Sequence, residues 1–244
     1  MLFLCVAPLG AEEGVKGVPK EKLQVYLLIG QSNMAGRAPI TAAEEGVLER
    51  CYLLNAKDEF EPAENPLNRY STVRKGPGMQ KLNPGYSFAK AMLEKEEGVS
   101  IGLVVNAKGG SKIEEWGKGS HFYKEAVRRA KEAEKSGTLT GVLWHQGESN
   151  SGKPEAYLGL LEELIENLRE DLGMPELPFV AGQINGKEAI NGEIEKLPEA
   201  VPFTGVARSE GLVAMDQWHF DTKSMKLLGE RYAEAMRKVM GKAR

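Results

Sequence analysis

The chain has 244 residues, of which 41% are hydrophobic and 27% charged, with a formal net charge of -3. That size fits one globular domain or at most two small ones, and the interspersed acids and bases exclude a basic face for nucleic acid and a charged block for a membrane surface. No run approaches the ~18 apolar residues of a membrane span, and the two cysteines and three histidines stand in unrelated contexts that match no zinc spacing.

The chain begins MLFLCVAPLGAEEG, a short apolar run ending in small residues. Two readings stand: the end of a secretory signal without its basic start, giving a secreted or periplasmic protein, or the frayed start of a cytoplasmic chain. Residues 1–20 are therefore read as leader and linker, and 21–244 as a single domain. Cys5 would leave with such a leader, so only Cys51 would remain and no internal disulfide could form.

Short apolar runs then alternate with amphipathic stretches. LQVYLLI (23–29), VSIGLVVNA (99–107), TGVLWHQ (140–146) and LPFVAGQI (177–184) read as buried strands. Residues 55–84, rich in Pro, Gly and Asn, read as a long loop. Helices are expected over 84–97, closed by Gly98, and over 121–136. A third, over 154–172, carries Tyr157, Leu161, Leu164, Ile165, Leu168 and Leu172 on one face, with Pro154 at its start and Gly173 just past its end. The last helix starts after Asp221, a good N-cap, and spaces Met225, Leu228, Tyr232, Met236 and Val239 helically. This alternation predicts an α/β fold with a parallel sheet covered on both faces.

In such a sheet ligands bind beyond the carboxyl ends of the strands. The first three strand exits read GQSN, NAKGGS and WHQGESN, all polar and glycine-bearing. Ser32, two residues past the first strand and beside Gly30, is placed to show its hydroxyl on a tight turn whose N–H groups face the same spot. Taken alone, GQSN reads more readily as a Ser or Asn helix cap, so the serine has to be weighed with a partner. A serine nucleophile needs a base, and the histidines are His121, His145 and His219. His219, in MDQWHFD, has Asp216 three residues before it, so one short turn can carry base and orienting acid together. His145 ends a buried strand and His121 opens a helix, positions that suit structural roles.

GQSNMAG (30–36), NAKGGSKIEEW (106–116), WHQGESN (144–150) and DQWHFD (216–221) together resemble the SGNH hydrolase superfamily, and within it the sialate O-acetylesterase and acetyl xylan esterase branch, carbohydrate esterase family 6. The four motifs occur in the family's order and span most of the chain. The resemblance implies a flavodoxin-like three-layer α/β/α sandwich, with Ser32 as nucleophile, His219 as base and Asp216 as its acid. It also implies an oxyanion hole made of the N–H groups of Ser32 and Gly110 and the side chain of Gln146. Gln31, Asn33 and Trp218 are the candidate substrate contacts. No cofactor or metal is implied.

Asn150, Gln217 and Ser111 depart from residues common in relatives, without removing a reactive group. Glu148 is an alternative third member of the triad, because it shares an exit loop and some relatives use that glutamate; the local Asp-x-x-His spacing favours Asp216. Trp116, Trp144 and Trp218 lie in or beside the motifs, where two of the three are expected in the core. NAKGGSK and GKGS do not fit Gly-x4-Gly-Lys-Ser/Thr, which argues against a nucleotide site. The function expected is a serine esterase that removes O-acetyl groups from carbohydrate through an acyl-enzyme on Ser32. The alternatives are an inactive carbohydrate-binding protein on the same scaffold, or a general short-chain lipase or thioesterase whose apolar wall would come from Leu67, Tyr70, Val73 and Met79.

Overall fold

The structure, a computed structural model, describes residues 15, 17–74 and 78–242. The expected leader falls almost wholly outside them. Among the described residues seven strands form one sheet: β1 (Leu23–Gly30), β2 (Val47–Leu54), β3 (Phe60–Glu64), β4 (Ser100–Val105), β5 (Thr138–His145), β6 (Phe179–Gly182) and β7 (Thr204–Ala207). Their order is β3-β2-β4-β1-β5-β6-β7. Every pairing is parallel except that of β2 with the edge strand β3.

Alternation along β1 builds the two faces. Leu23, Val25, Leu27 and Ile29 enter one core, with residues of helices α3 (His121–Ala133), α4 (Tyr157–Leu172), α5 (Glu188–Glu195) and α6 (Leu197–Ala200). Tyr26 and Leu28 point the other way, into a core closed by α1 (Ser32–Ala35), α2 (Gly85–Leu93) and α7 (Thr222–Lys242). This is the expected three-layer sandwich. Each fully buried Leu or Ile contributes about 1.5–3 kcal/mol, so a central strand buried on both faces anchors both layers at once.

The helix termini follow the sequence chemistry. Asp221 Oδ1 accepts the N–H of Ser224 at 2.7 Å ahead of α7. Ser120 Oγ accepts that of Tyr123 at 3.2 Å ahead of α3, and Gly173 closes α4 in the left-handed region at φ 67°.

The four expected strands are present; β2, β3 and β7 are additional. VLERCYLL alternates only loosely, and FEPAE and TGVA are too short to carry a pattern, so tertiary pairing decides them. The expected loop 55–84 thus contains β3. Its continuation is pinned over the exit of β4, where Asn68 exchanges hydrogen bonds with the backbone of Ala107 at 3.0 and 3.2 Å, and Asn106 Oδ1 accepts the N–H of Thr72 at 2.8 Å. Arg129, fully buried on α3, donates to the carbonyls of Tyr70 and Leu54, each at 2.7 Å. A guanidinium spent on strand-end carbonyls fixes that loop without any acid.

The chain leaves β1 first towards β2 and β4 and later towards β5, β6 and β7, so the carboxyl end of β1 is the switch point where an open sheet forms a crevice. There Gly30 pairs with His145 at φ 133°, and a Cβ on Gly30 would stand 2.2 Å from the His145 carbonyl oxygen. Only glycine admits this approach. Gly30→Ala is therefore expected to lower unfolding free energy by more than about 2 kcal/mol, read as a fall in the denaturant midpoint; an unchanged midpoint would show that the β1–β5 contact yields freely.

Candidate active site

Ser32 opens α1 directly beyond β1, and the Gln31 N–H still bonds the His145 carbonyl at 2.8 Å. The turn is held at its far side by Gly36, whose N–H returns to the Ser32 carbonyl at 3.0 Å and whose φ is 94°. Ser32 itself is 6% exposed. At the start of a helix its own N–H has no partner within the helix, so it stays available to a ligand.

His219 arrives from the loop ahead of α7. Its Nε2 lies 3.1 Å from Ser32 Oγ, and its Nδ1 lies 2.8 Å from Asp216 Oδ2. The other oxygen of Asp216 accepts the N–H groups of Trp218 and His219 at 2.7 and 2.8 Å. These bonds, led by the one from His219, hold the Asp216 carboxyl down at about 2 although the residue is exposed. A short bridge between Ala214 and Phe220, with the Met215 N–H on the His219 carbonyl at 2.8 Å, rigidifies the turn.

Glu148, the alternative acid, does not meet His219. Its Oε1 accepts Asn33 Nδ2 at 2.9 Å, while Oε2 is buried without a partner. Burial pushes this carboxyl up to about 7, so near neutrality it is about as often protonated as ionised. Such a group is poorly suited to stabilising an imidazolium.

Asn33 differs from expectation. It is fully buried and serves as a staple: Nδ2 also donates to the Trp218 carbonyl at 3.0 Å, and Oδ1 accepts the Phe220 N–H at 3.3 Å. Fully buried and bonded to two other chain segments, it has no face left for substrate. Gln146 differs too. It is fully buried, and its Nε2 donates to Gln31 Oε1 at 3.1 Å, the Ser111 carbonyl at 3.1 Å and Asn150 Oδ1 at 2.7 Å. With that amide nitrogen committed to neighbouring loops, it does not supply the expected third oxyanion donor. Asn150 completes this knot by accepting the Ile113 N–H at 3.0 Å and donating to Glu114 at 2.8 Å, which ties the exits of β4 and β5 together.

A cleft of about 380 Å³ lies over Ser32, lined by Gln31, Ser32, Arg37, Met79, Gly110, Glu148, Ser149, Trp218 and His219. Gly110 is exposed at φ 74°, beside Gly109. Trp218 carries the Lys187 ammonium 4.6 Å from its ring centre. Trp116 and Trp144 are fully buried and pack edge to face at 5.6 Å, so two tryptophans are core, as expected. Arg37, Met79 and Ser149 join the cleft without having been singled out as site residues. Arg37 follows the first motif directly, Ser149 lies inside the third, and Met79 comes from the long loop, where it was considered only as part of an apolar wall. Of the four residues considered for an apolar wall, only Met79 lines the cleft.

A parallel sheet whose carboxyl edge carries Ser, His and Asp in series is the arrangement of SGNH-type hydrolases. The model of the family described as carbohydrate esterase, sialic acid-specific acetylesterase matches residues 22–238, and the chain belongs to that family. It is therefore a carboxylic ester hydrolase acting on carbohydrate. A probable carbohydrate esterase of Arabidopsis thaliana is 34% identical over 243 residues, covering 87% of this chain and 89% of that protein. Among solved structures, one from Arabidopsis thaliana superposes with a TM-score of 0.79 at 29% identity, covering 89% of this chain and 98% of the other. A carbohydrate acetylesterase from Xanthomonas citri superposes at 0.67 with 21% identity, covering 90% of this chain and 57% of that one, and so shares the fold.

The state of Glu148 has a measurable consequence. A carboxyl raised from 4.5 to about 7 on folding binds its proton more tightly in the native state. Its contribution is fully present below pH 4.5 and is lost as pH rises through about 7, a change of up to about 3 kcal/mol. Glu148→Gln should flatten this slope in unfolding free energy against pH, while a wild-type slope retained in the variant would assign the proton elsewhere.

Proposed function

We propose that the protein removes O-acetyl groups from carbohydrate through an acyl-enzyme on Ser32. The observation that carries this reading is the unbroken series Ser32 Oγ, His219 Nε2, His219 Nδ1 and Asp216 Oδ2, with steps of 3.1 and 2.8 Å. Ser32 Oγ attacks the acetyl carbonyl while His219 Nε2 accepts its proton. Asp216 fixes the ring so that Nδ1 carries the hydrogen, and it stabilises the imidazolium. The carbonyl oxygen becomes an oxyanion facing the N–H groups of Ser32 and Gly110. Each donor in such a hole is typically worth about 2.7–4 kcal/mol in the transition state. Collapse expels the sugar hydroxyl, which takes the proton from His219. Water then repeats the sequence on the acetyl-serine, releasing acetate and restoring the hydroxyl.

The surroundings support a polar alcohol and a short acyl group. Gln31, Arg37, Glu148 and Ser149 present polar edges around Ser32, and among the described residues Met79 is the lone aliphatic side chain in the cleft lining. A buried donor left facing an alkyl chain costs about 1–3 kcal/mol. Leu67 and Val73 are buried in the two cores and Tyr70 donates to Glu61 at 2.7 Å, and none of the three lines the cleft over Ser32, which argues against a lipase-like acyl wall built from them.

Three outcomes are expected. Ser32→Ala and His219→Ala should each lower turnover of 4-nitrophenyl acetate by several orders of magnitude with an unchanged melting midpoint, since the pair acts as one unit; a folded Ser32→Ala with near-full activity would end this reading. Asp216→Asn should cost on the order of 10⁴ in turnover, by favouring the wrong imidazole tautomer, and Glu148→Gln much less. Across the nitrophenyl esters, acetate should far exceed butyrate and octanoate should be negligible; a maximum at longer acyl chains would point to a lipase.

A further inference from the structure

The oxyanion hole has two backbone donors, the N–H groups of Ser32 and Gly110, while the amide nitrogen of Gln146 is spent on its neighbours. An ester carbonyl oxygen has two lone pairs, but the oxyanion it becomes has three. Two donors therefore leave part of the charge that develops in the transition state unmet. One of the groups that Gln146 holds is the side chain of Gln31, which immediately precedes the nucleophile and lines the same cleft as Ser32, Gly110 and His219.

Gln31 is 3% exposed, and its carboxamide is held by its oxygen. Oε1 accepts Gln146 Nε2 at 3.1 Å, the Gly147 N–H at 3.5 Å and the Ser149 N–H at 3.4 Å. Two of these three are backbone N–H groups, which can only donate, so the oxygen faces the loop after β5 and the NH2 group faces away from it. Gln146 cannot turn its own amide to suit the opposite arrangement, because its Nε2 also meets the Ser111 carbonyl and Asn150 Oδ1. The main chain is fixed as well, with the Gln31 N–H on the His145 carbonyl at 2.8 Å. Among the described residues, Nε2 of Gln31 donates to nothing. Nor is it sealed from solvent: the buried atoms without partners around it belong to Gln146 Oε1, Glu148 Oε2 and His145 Nε2. Buried amides ordinarily spend their hydrogens inside the protein. One held rigidly by its oxygen, with its nitrogen free beside the nucleophile, is arranged for a ligand in the cleft.

We propose that Gln31 Nε2 is the third donor of the oxyanion hole and that Gln146 is the residue that positions it. The assignment rests on the esterase reading and adds a catalytic group to it. The two backbone N–H groups receive the ester carbonyl. As Ser32 Oγ bonds to the carbon and the third lone pair forms, it meets the Gln31 amide. A bond made only at that stage raises kcat and leaves KM alone. The three donors on Oε1 polarise the amide and fix it in advance, so no reorganisation is needed when charge appears.

The test uses 4-nitrophenyl acetate, which carries no sugar hydroxyl, beside its thiono analogue, whose sulfur in place of the carbonyl oxygen accepts hydrogen bonds poorly. Gln31→Glu keeps the acceptor that Gln146, Gly147 and Ser149 hold and removes the donor; Gln31→Met removes the donor without adding a charge. Each should lower kcat for the acetate on the order of 10²–10³-fold with KM little changed. Thionoacetate turnover should fall far less, so the preference for oxygen over sulfur collapses. In the Gln31→Met background, Gln146→Ala should cost little more, because it acts through the amide already lost; fully additive losses would overturn the positioning role. Folded Gln31→Glu and Gln31→Met proteins that keep kcat within about threefold of the wild type would overturn the donor. Equal losses on the two esters would mark a structural effect and overturn it too, as would a loss confined to acetylated sugars and to KM, which would make Gln31 a contact to the alcohol. A wild type that turns over no acetate ester fails the esterase reading itself, and the donor assignment falls with it.

Discussion

The site depends on one buried amide. Ser32 and His219 are separated by 187 positions, and the two segments meet because Asn33, next to the serine, bonds both peptide groups that flank the histidine. Asn33 Nδ2 holds the Trp218 carbonyl and Oδ1 the Phe220 N–H, while the same Nδ2 reaches Glu148. The exits of β1 and β5 and the loop ahead of α7 are thereby set against one another by a side chain with no exposure. Satisfied buried polar networks of this kind specify geometry strongly, because each unmade bond would strand a donor or acceptor away from water.

The rest of the site is arranged around that staple. Gly30 lets β1 and β5 close to their last residues, which brings the serine turn against the Gln146–Glu148 loop. Gln31 Oε1 accepts from Gln146, and Gln146 in turn bonds the Ser111 carbonyl and Asn150, so the loop carrying Gly110 is tied to its neighbours as well as closed on itself by the Ser111 hydroxyl on the Lys108 carbonyl. Asp216 needs no such support because its three bonds are made within its own turn. Glu148 supplies the contrast: it is buried, half-satisfied and only partly ionised near neutrality, which suits a group that holds Asn33 in place and not one that charges an imidazole.

What could be read from the sequence divides along the range of the interactions. The four long apolar strands, the amphipathic helices and the Asp216–His219 turn depend on residues within a few positions of one another, so their patterns survive in the chain. VLERCYLL and TGVA become strands only because neighbours offer edges, and the loop carrying Thr72 and Arg74 lies where it does because Arg129 and Asn68 pin it. Asn33 and Gln146 carry the chemistry of surface-contacting amides, and nothing local distinguishes a staple from a ligand contact. Their roles are set by burial and by partners far away in the chain.

The central claim is that Ser32 is the acylated residue, and a covalent probe tests it most directly. The protein would be treated with a slowly turned-over organophosphate ester, residual esterase activity followed against the extent of labelling, and the adduct located by peptide mass mapping. The account predicts a single adduct on Ser32, with activity falling in proportion to its formation. Complete inactivation with the label on another residue, or a fully labelled Ser32 in a protein that still hydrolyses acetate esters, would contradict it.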